Sequence, residues 1–384
     1  MKKIKLLFIS CAMALALTGC SKAGQLPPGG KKVDLSTEAG QALLKEKVQK
    51  TAEAYKETPD AVAIKASVQS LGLGLKGSTK NEFGPISLDA SAVINGKVEA
   101  NFRNSKEKLV ANTVISGLGA DVKLKGSIPV AADKKQEFDT ACKFSGVTGK
   151  AFYQSENLYV DYSSESVRKA LNKVSDLVND MMKAVSGEAK TEEMDLNKMI
   201  DDATGTSRRK IIVPASIQPE EIFDKFKFEY TDEGFNEAMK IFNEIPFMTF
   251  KTYADGRYGL EADINKDTLL KLIRLTSDEE DVEKDVKDAE ETVKSFKLKA
   301  ALLFEKAGFL SEASVDADID VSLGALVNGL LKVEGSEFDL AIKGKAIVDL
   351  KYNNDVTVKT LTDAQKEEYR ELPKEEKTET EVQP

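Results

Sequence analysis

The chain has no histidine, no tryptophan and three cysteines in 384 residues. Without imidazole, the Ser-His-Asp and Cys-His routes to nucleophilic catalysis are excluded, together with the zinc sets that use histidine. Without tryptophan, a sugar-stacking surface loses its best residue, although nine tyrosines remain. Cys11 and Cys20 both lie in the first twenty residues, which leaves Cys142 alone in the body without a partner for an internal disulfide. Cys142, inside Phe138-Asp139-Thr140-Ala141-Cys142-Lys143-Phe144, reads as a buried structural thiol. The 64 acids exceed the 55 lysines and arginines, a net charge of −9. That balance argues against nucleic acid as a partner and against direct adsorption to anionic lipid heads. No cofactor, metal site or catalytic set is expected.

What the chain does have is concentrated at its start. Lys2, Lys3 and Lys5 precede an apolar run from Leu6 to Leu17, which closes in Leu17-Thr18-Gly19-Cys20. Positive charge, a short apolar core and small residues make the layout of a secretory signal. The core is too short for a finished transmembrane helix, which needs about 20 residues. The Leu-Thr-Gly-Cys ending resembles the signal peptides of bacterial lipoproteins. The resemblance implies cleavage after Gly19 and acylation of Cys20, which becomes the first residue of the mature chain. Cys11 would leave with the peptide. Two or three acyl chains anchor stably where one holds marginally. The expected location is therefore extracytoplasmic, anchored by lipid to a bacterial cell membrane or outer membrane.

Residues 20–35 follow, with Pro27, Pro28, Gly29 and Gly30, and read as the lipidated cysteine and a flexible tether. A helix is expected from about Ser36, with Leu44, Val48, Ala52 and Tyr55 as its apolar stripe. From Ala61 the period changes to two, and it recurs in 86–102, 109–128 and 150–162. Alternation with one wet face points to antiparallel strands, and Gly72, Gly74, Gly96, Gly117, Gly119 and Gly126 to bulges or bends within them. A second helix is expected over 165–185, striped by Val167, Leu171, Val174, Val178 and Met181. Residues 186–208 lack a period and read as a linker.

In the second half, Thr231 and Asn265 are candidate helix caps. Residues 247–253 and 258–264 read as hairpin arms about Asp255-Gly256. Ser277-Asp278-Glu279-Glu280 matches a capping box, and the acidic run to Glu291 reads as the wet face of a helix, lacking the glycine and spacing of a calcium loop. Strands return over 295–304, 310–322 and 337–351. Residues 363–384 read as a disordered charged tail.

Tyr153 to Tyr162 and Tyr253 to Ala262 echo one another, each leading into an amphipathic helix. Two related lobes, 36–185 and 209–362, are one arrangement the echo allows. The lipobox, the Leu44/Val48/Ala52/Tyr55 helix and the Tyr153–Tyr162 segment running into Val167–Met181 resemble the extracytoplasmic lipoproteins with a half-barrel body. That group includes the periplasmic lipoprotein carrier and the mycobacterial glycolipid-binding lipoproteins. The resemblance implies an α+β fold, a large curved antiparallel sheet packed against amphipathic helices, and a groove for acyl chains.

The expected function is to bind or carry a hydrophobic ligand, a lipid or an acylated protein. Ala90, Ala92, Ala111, Gly117 and Gly119 would leave room for it, and Met181 and Met182 would adapt to it. The alternative is a non-enzymatic structural or interaction lipoprotein of the cell envelope with no ligand cavity. An enzyme is not expected, since paired carboxylates are the one acid-base route left and 64 acids make chance pairs unavoidable. Oligomeric state is left open.

Overall fold

The computed structural model describes residues 23–371, apart from 57–58, 106–107, 132–133, 187–192, 205–206, 214–227, 278–281 and 324–335. At 81, 105, 108, 184–186 and 203–204 it describes the backbone alone. The leader with Cys20, the capping-box carboxylates at 278–280 and residues 372–384 lie outside the described residues.

Thirteen strands form one open sheet among the described residues. From one edge they run β1 (Lys31–Val33), β8 (Met248–Thr252), β9 (Tyr258–Asn265), β10 (Val293–Phe304), β11 (Leu310–Ser322) and β12 (Glu337–Tyr352). The order continues with β2 (Ala61–Asn81), β3 (Gly84–Ser105), β4 (Lys108–Ala131), β5 (Lys134–Gln154), β6 (Asn157–Asp161), β7 (Arg208–Ile212) and β13 (Arg370–Glu371). All pairs are antiparallel except β13 with β7. The α+β class with a large antiparallel sheet therefore holds. The stretches expected as two lobes share this one sheet, joined where Leu350, Lys351 and Tyr352 of β12 pair with Ile64, Ala63 and Val62 of β2.

Among the described residues seven helices accompany the sheet: α1 (Glu38–Ala54), α2 (Glu165–Ser186), α3 (Leu196–Thr204), α4 (Asp232–Glu244), α5 (Lys266–Thr276), α6 (Val282–Thr292) and α7 (Asp363–Lys366). Among the described residues none is long and apolar enough to cross a membrane. Their starts follow from capping chemistry. Gly40 N donates to Thr37 Oγ1, Gly234 N to Thr231 Oγ1 and Thr268 N to Asn265 Oδ1, at 3.1, 3.1 and 2.8 Å. Each bond satisfies an N–H that the first helical turn leaves without a partner.

The main core lies where α1 and α4 meet β8 and β9. Leu35, Leu44, Met239, Phe242, Phe250 and Tyr258 are buried together there, with Val48, Leu260 and Phe304 packed against them. Helix α1 thus covers strands that follow it by some two hundred residues.

Three segments are more ordered than their composition suggests. The expected tether is docked from Gly24 onward. Leu26 is 7% exposed, packed on Ala301 and Leu303. The glycines allow close approach: a Cβ on Gly24 (φ +75°) would lie 2.6 Å from the Lys299 Cβ, and one on Gly30 would strike the Tyr253 ring at 2.8 Å. The linker carries α3, held to α2 by Arg168 on Asp201 at 2.7 Å and by Asn179 Nδ2 donating to Met194 O at 2.8 Å. The tail begins with a genuine capping box at Thr362/Gln365 and then adds β13, with Tyr369 edge-on to Tyr159 at 5.3 Å. In each case a few specific contacts outweigh a polar composition.

Strands β2 to β5 run 21, 22, 24 and 21 residues, about 70 Å each at roughly 3.3 Å per residue. Strand β5 begins sixteen residues before the expected segment at 150. Interruptions cross this array side by side. Register shifts fall at Val68/Leu71, Asn95/Lys97 and Ile115/Leu118, where Ser70, Gly96 and Gly117 have positive φ. Bulges of this kind bend a strand and sharpen its twist.

Phe250 is fully enclosed, so Phe250→Ala is expected to destabilise the fold by about 3–5 kcal/mol. Met199→Ala, at a residue 56% exposed on α3, is expected to stay within about 0.5 kcal/mol of the parent. Urea unfolding followed by circular dichroism checks both.

Candidate ligand-binding face

Beyond the line of bulges, one face of β2 to β5 is built from apolar rows. Leu71, Ile94, Ala120 and Phe144 are cross-strand neighbours in the first. Leu73, Ala92, Val122 and Cys142 make the second, and Leu75, Ala90, Leu124 and Thr140 the third. Strand periodicity puts these residues on one side and their neighbours on the other. The opposite side is wet, crossed by the ion pairs Lys76–Asp89 (3.1 Å) and Lys125–Asp139 (3.4 Å).

The rows are sheltered but not sealed. Leu71, Leu75, Ala90, Ala92, Ile94, Val122 and Leu124 are half-buried, and Leu73 is 37% exposed. Helix α2 covers their β5 margin. There Thr140 Oγ1 donates to Asp180 Oδ2 at 3.4 Å. Cys142 sits 2% exposed beneath the helix, where burial pushes its thiol up. Ala170 and Ser175 of α2 are buried, while Val167, Leu171, Val174 and Val178 stay half-buried and Met181 is exposed.

Both ends of the face are closed by aromatic rings. At the far end Phe338 and Phe138 lie over glycines: a Cβ on Gly77 would fall 2.1 Å from the Phe338 ring, and one on Gly126 2.4 Å from the Phe138 ring. At the near end, past the bulges, Val62, Leu109, Ile64, Phe102, Leu350 and Tyr352 form a separate closed cluster. Tyr352 shares a 2.8 Å hydrogen bond with Tyr55 at the end of α1, and Leu310 N donates to the same Tyr55 hydroxyl at 3.0 Å. Phe309 stacks on Tyr352 at 4.8 Å and meets Tyr55 edge-on at 5.2 Å. Desolvation is the main force raising the Tyr55 and Tyr352 phenols above the usual tyrosine range, Tyr352 the further of the two.

A groove of about 860 Å³ runs along α2, between Lys143–Ser145 of β5 and the helix residues Lys169, Lys173 and Asp176. Its wall mixes both signs of charge with apolar patches at Phe144, Ala170 and Met194. It is thus a different kind of surface from the acyl-chain groove the sequence suggests.

Of the residues expected to make room, Ala90 and Ala92 stand within the apolar rows. Ala111 is buried near the closed end, beside Phe102 and Tyr153. Gly117 and Gly119 lie at the bulge line, and a Cβ on Gly119 would come within 2.9 Å of Asn95 Oδ1, so that glycine admits its neighbours rather than a ligand. Met181 and Met182 stand at the far end of α2. Leu71, Leu73, Leu75, Val122 and Leu124 were not singled out in the sequence, although the period-two pattern assigns them to the same face. Among the described residues no group of three or more His, Cys, Asp or Glu side chains is placed to hold a metal. A scan against protein-family models finds no match for this chain, and a search of curated proteins finds none either.

The phenols give the closed end an alkaline limit. A phenol whose folded pKa lies above its unfolded value, near 10, adds stability that is complete below about pH 10 and lost as pH rises toward the folded value. Tyr55 and Tyr352 are therefore expected to stay protonated past pH 10 and to ionise only as the fold opens. Tyrosinate absorbance and circular dichroism, recorded together from pH 8 to 12, check this. Eight or more of the nine tyrosines ionising ahead of the loss of ellipticity would contradict it.

Proposed function

We propose that this chain is an extracytoplasmic lipoprotein, acylated on Cys20, that binds or carries a hydrophobic ligand on the helix-bearing face of a half-barrel-like sheet. The observation that carries the reading is the set of Leu, Ala, Val and Ile rows on β2 to β4, sheltered at both ends yet unsealed between. A contiguous apolar patch left open in this way marks a contact surface. The ligand class is a lipid, or the acyl group of another lipoprotein. Binding would draw on apolar burial, about 0.8 kcal/mol for each methylene removed from water. Alanines beneath an acyl chain leave depth, and the leucines beside them supply walls. No proton transfer or covalent step is needed. Specificity would come from the length of the trough between the bulge line and Phe338.

Native mass spectrometry of residues 21–384, exported from a bacterial host and purified without detergent, tests the reading. The expected result is bound lipid at defined stoichiometry, released by organic solvent. Leu73→Glu puts a carboxylate in the middle row and is expected to weaken a fluorescent fatty-acid probe at least tenfold. A lipid-free mass that stays unchanged after incubation with extracted envelope lipids would overturn the binder. The function would then be that of an envelope interaction protein.

A further inference from the structure

The docked N-terminal segment does more than fill a surface. Gly24 N donates to Ser314 Oγ at 3.0 Å, Leu26 N to Glu261 Oε1 at 2.6 Å, and Tyr253 Oη to Pro27 O at 2.9 Å. Glu261, Ala301 and Ser314 are cross-strand neighbours on the side of the sheet away from the helices. The segment therefore crosses the outer face of β11, β10 and β9. It pairs with β8 as β1, then turns over the sheet edge, where Leu35 and α1 enter the core on the helix-bearing face. The body is clasped from both sides by one piece of chain.

Four Cα steps separate Cys20 from Gly24. At up to about 3.6 Å per residue they reach at most about 14 Å. From Ser314 the nearer sheet edge lies four strand spacings away, about 19 Å at roughly 4.8 Å each. A lipid on Cys20 cannot pass around that lateral edge while the clasp is closed, and the four residues of β11 from Ser314 to Leu310, about 14 Å, bring it no further than the rim at the β10–β11 turn. The outer face also suits a headgroup layer. Three of its lysines are matched across strands, Lys299 with Asp263 at 3.0 Å, Lys345 with Asp316 at 2.9 Å and Lys343 with Asp318 at 2.7 Å. The acid-rich helix α6, with Glu283, Asp285, Asp288, Glu290 and Glu291, packs with α5 over β9 to β11 on the opposite side. An anionic surface repels that side and tolerates the paired one.

We infer that the acylated protein rests its outer sheet face, around Lys299, Ser314 and Lys345, on the headgroups of its own membrane and turns the helix-bearing face away. This rests on the acylation of Cys20 proposed above. The anchor then acts as a short clamp rather than a leash, and a ligand would be exchanged on the side facing away from the membrane.

The test uses the full-length acylated protein in vesicles of phosphatidylcholine and phosphatidylglycerol. A donor dye is placed at Lys345→Cys on the outer face or at Leu275→Cys on α5, with acceptor on the lipid headgroups. Cys142 is buried and resists labelling. Energy transfer from position 345 is expected to be at least twice that from 275. A flexible spacer of about 20 residues between Lys22 and Ala23, spanning roughly 25 Å, is expected to remove the difference. Equal transfer from both positions in the unmodified chain, with acyl mass present on the N-terminal peptide, overturns the orientation alone. No acyl mass and no flotation with vesicles overturns the anchor, and the orientation with it.

Discussion

One seam holds the sheet together. Val62 and Tyr352, 290 positions apart, pair across β2 and β12. The seam is short in regular pairs and rich in close fits. Phe338 covers Gly77, and Gly344 backs onto Leu71 so closely that a Cβ would stand 2.8 Å from its Cα. Asp60 N donates to Asn353 Oδ1 at 2.9 Å just beyond its end. Without the seam there would be two sheets, each with a newly opened edge, and α1, which precedes β2 in the chain, would stay packed on β8 and β9 of the other sheet. Such non-local pairing requires chain ends to be brought together before it is rewarded, which places the seam among the slower steps of folding.

Much of this architecture could be read from the residues, and the failures share a cause. Period-two stretches, helix stripes and caps at Thr231 and Asn265 are local patterns, and they fall where the sequence puts them. The clasp, α3 and β13 were missed because their stability is not local. Pro27, Pro28, Gly29 and Gly30 say nothing of Glu261 or Ser314, some two hundred and fifty residues away. The missed length of β5 has a related origin. Residues 134–149 alternate polar and small side chains with only Phe138, Cys142, Phe144 and Val147 to mark the buried side, too weak a signal away from the β4 backbone that pairs with it. The apolar rows were half legible. Alternation assigns Leu73, Ala92 and Val122 to a face, but only the register makes them neighbours.

The glycines divide into two kinds that composition cannot separate. Some leave space, as Gly117 does with nothing near its missing Cβ. Others are occupied, as Gly77 and Gly126 are by aromatic rings. Reading every strand glycine as room for a ligand therefore overstates the opening. What remains open is the stretch between the bulge line and the Phe338 and Phe138 rings, defined by closed neighbours on both sides. The binding proposal and the membrane orientation draw on opposite faces of this same sheet, and the clasp is the element that touches both.

The two edges of the sheet are its shortest strands. Strand β1 has three residues, two of them lysines, and β13 has two, Arg370 and Glu371. A long bare edge invites another chain to add itself as the next strand, and short charged edges discourage it. That guard gains weight for a protein held to a surface. Copies confined to two dimensions, with their sheets lying at a common height, would meet edge to edge far more often than copies tumbling in solution. Blunt, charged rims would let such a population stay crowded and still separate.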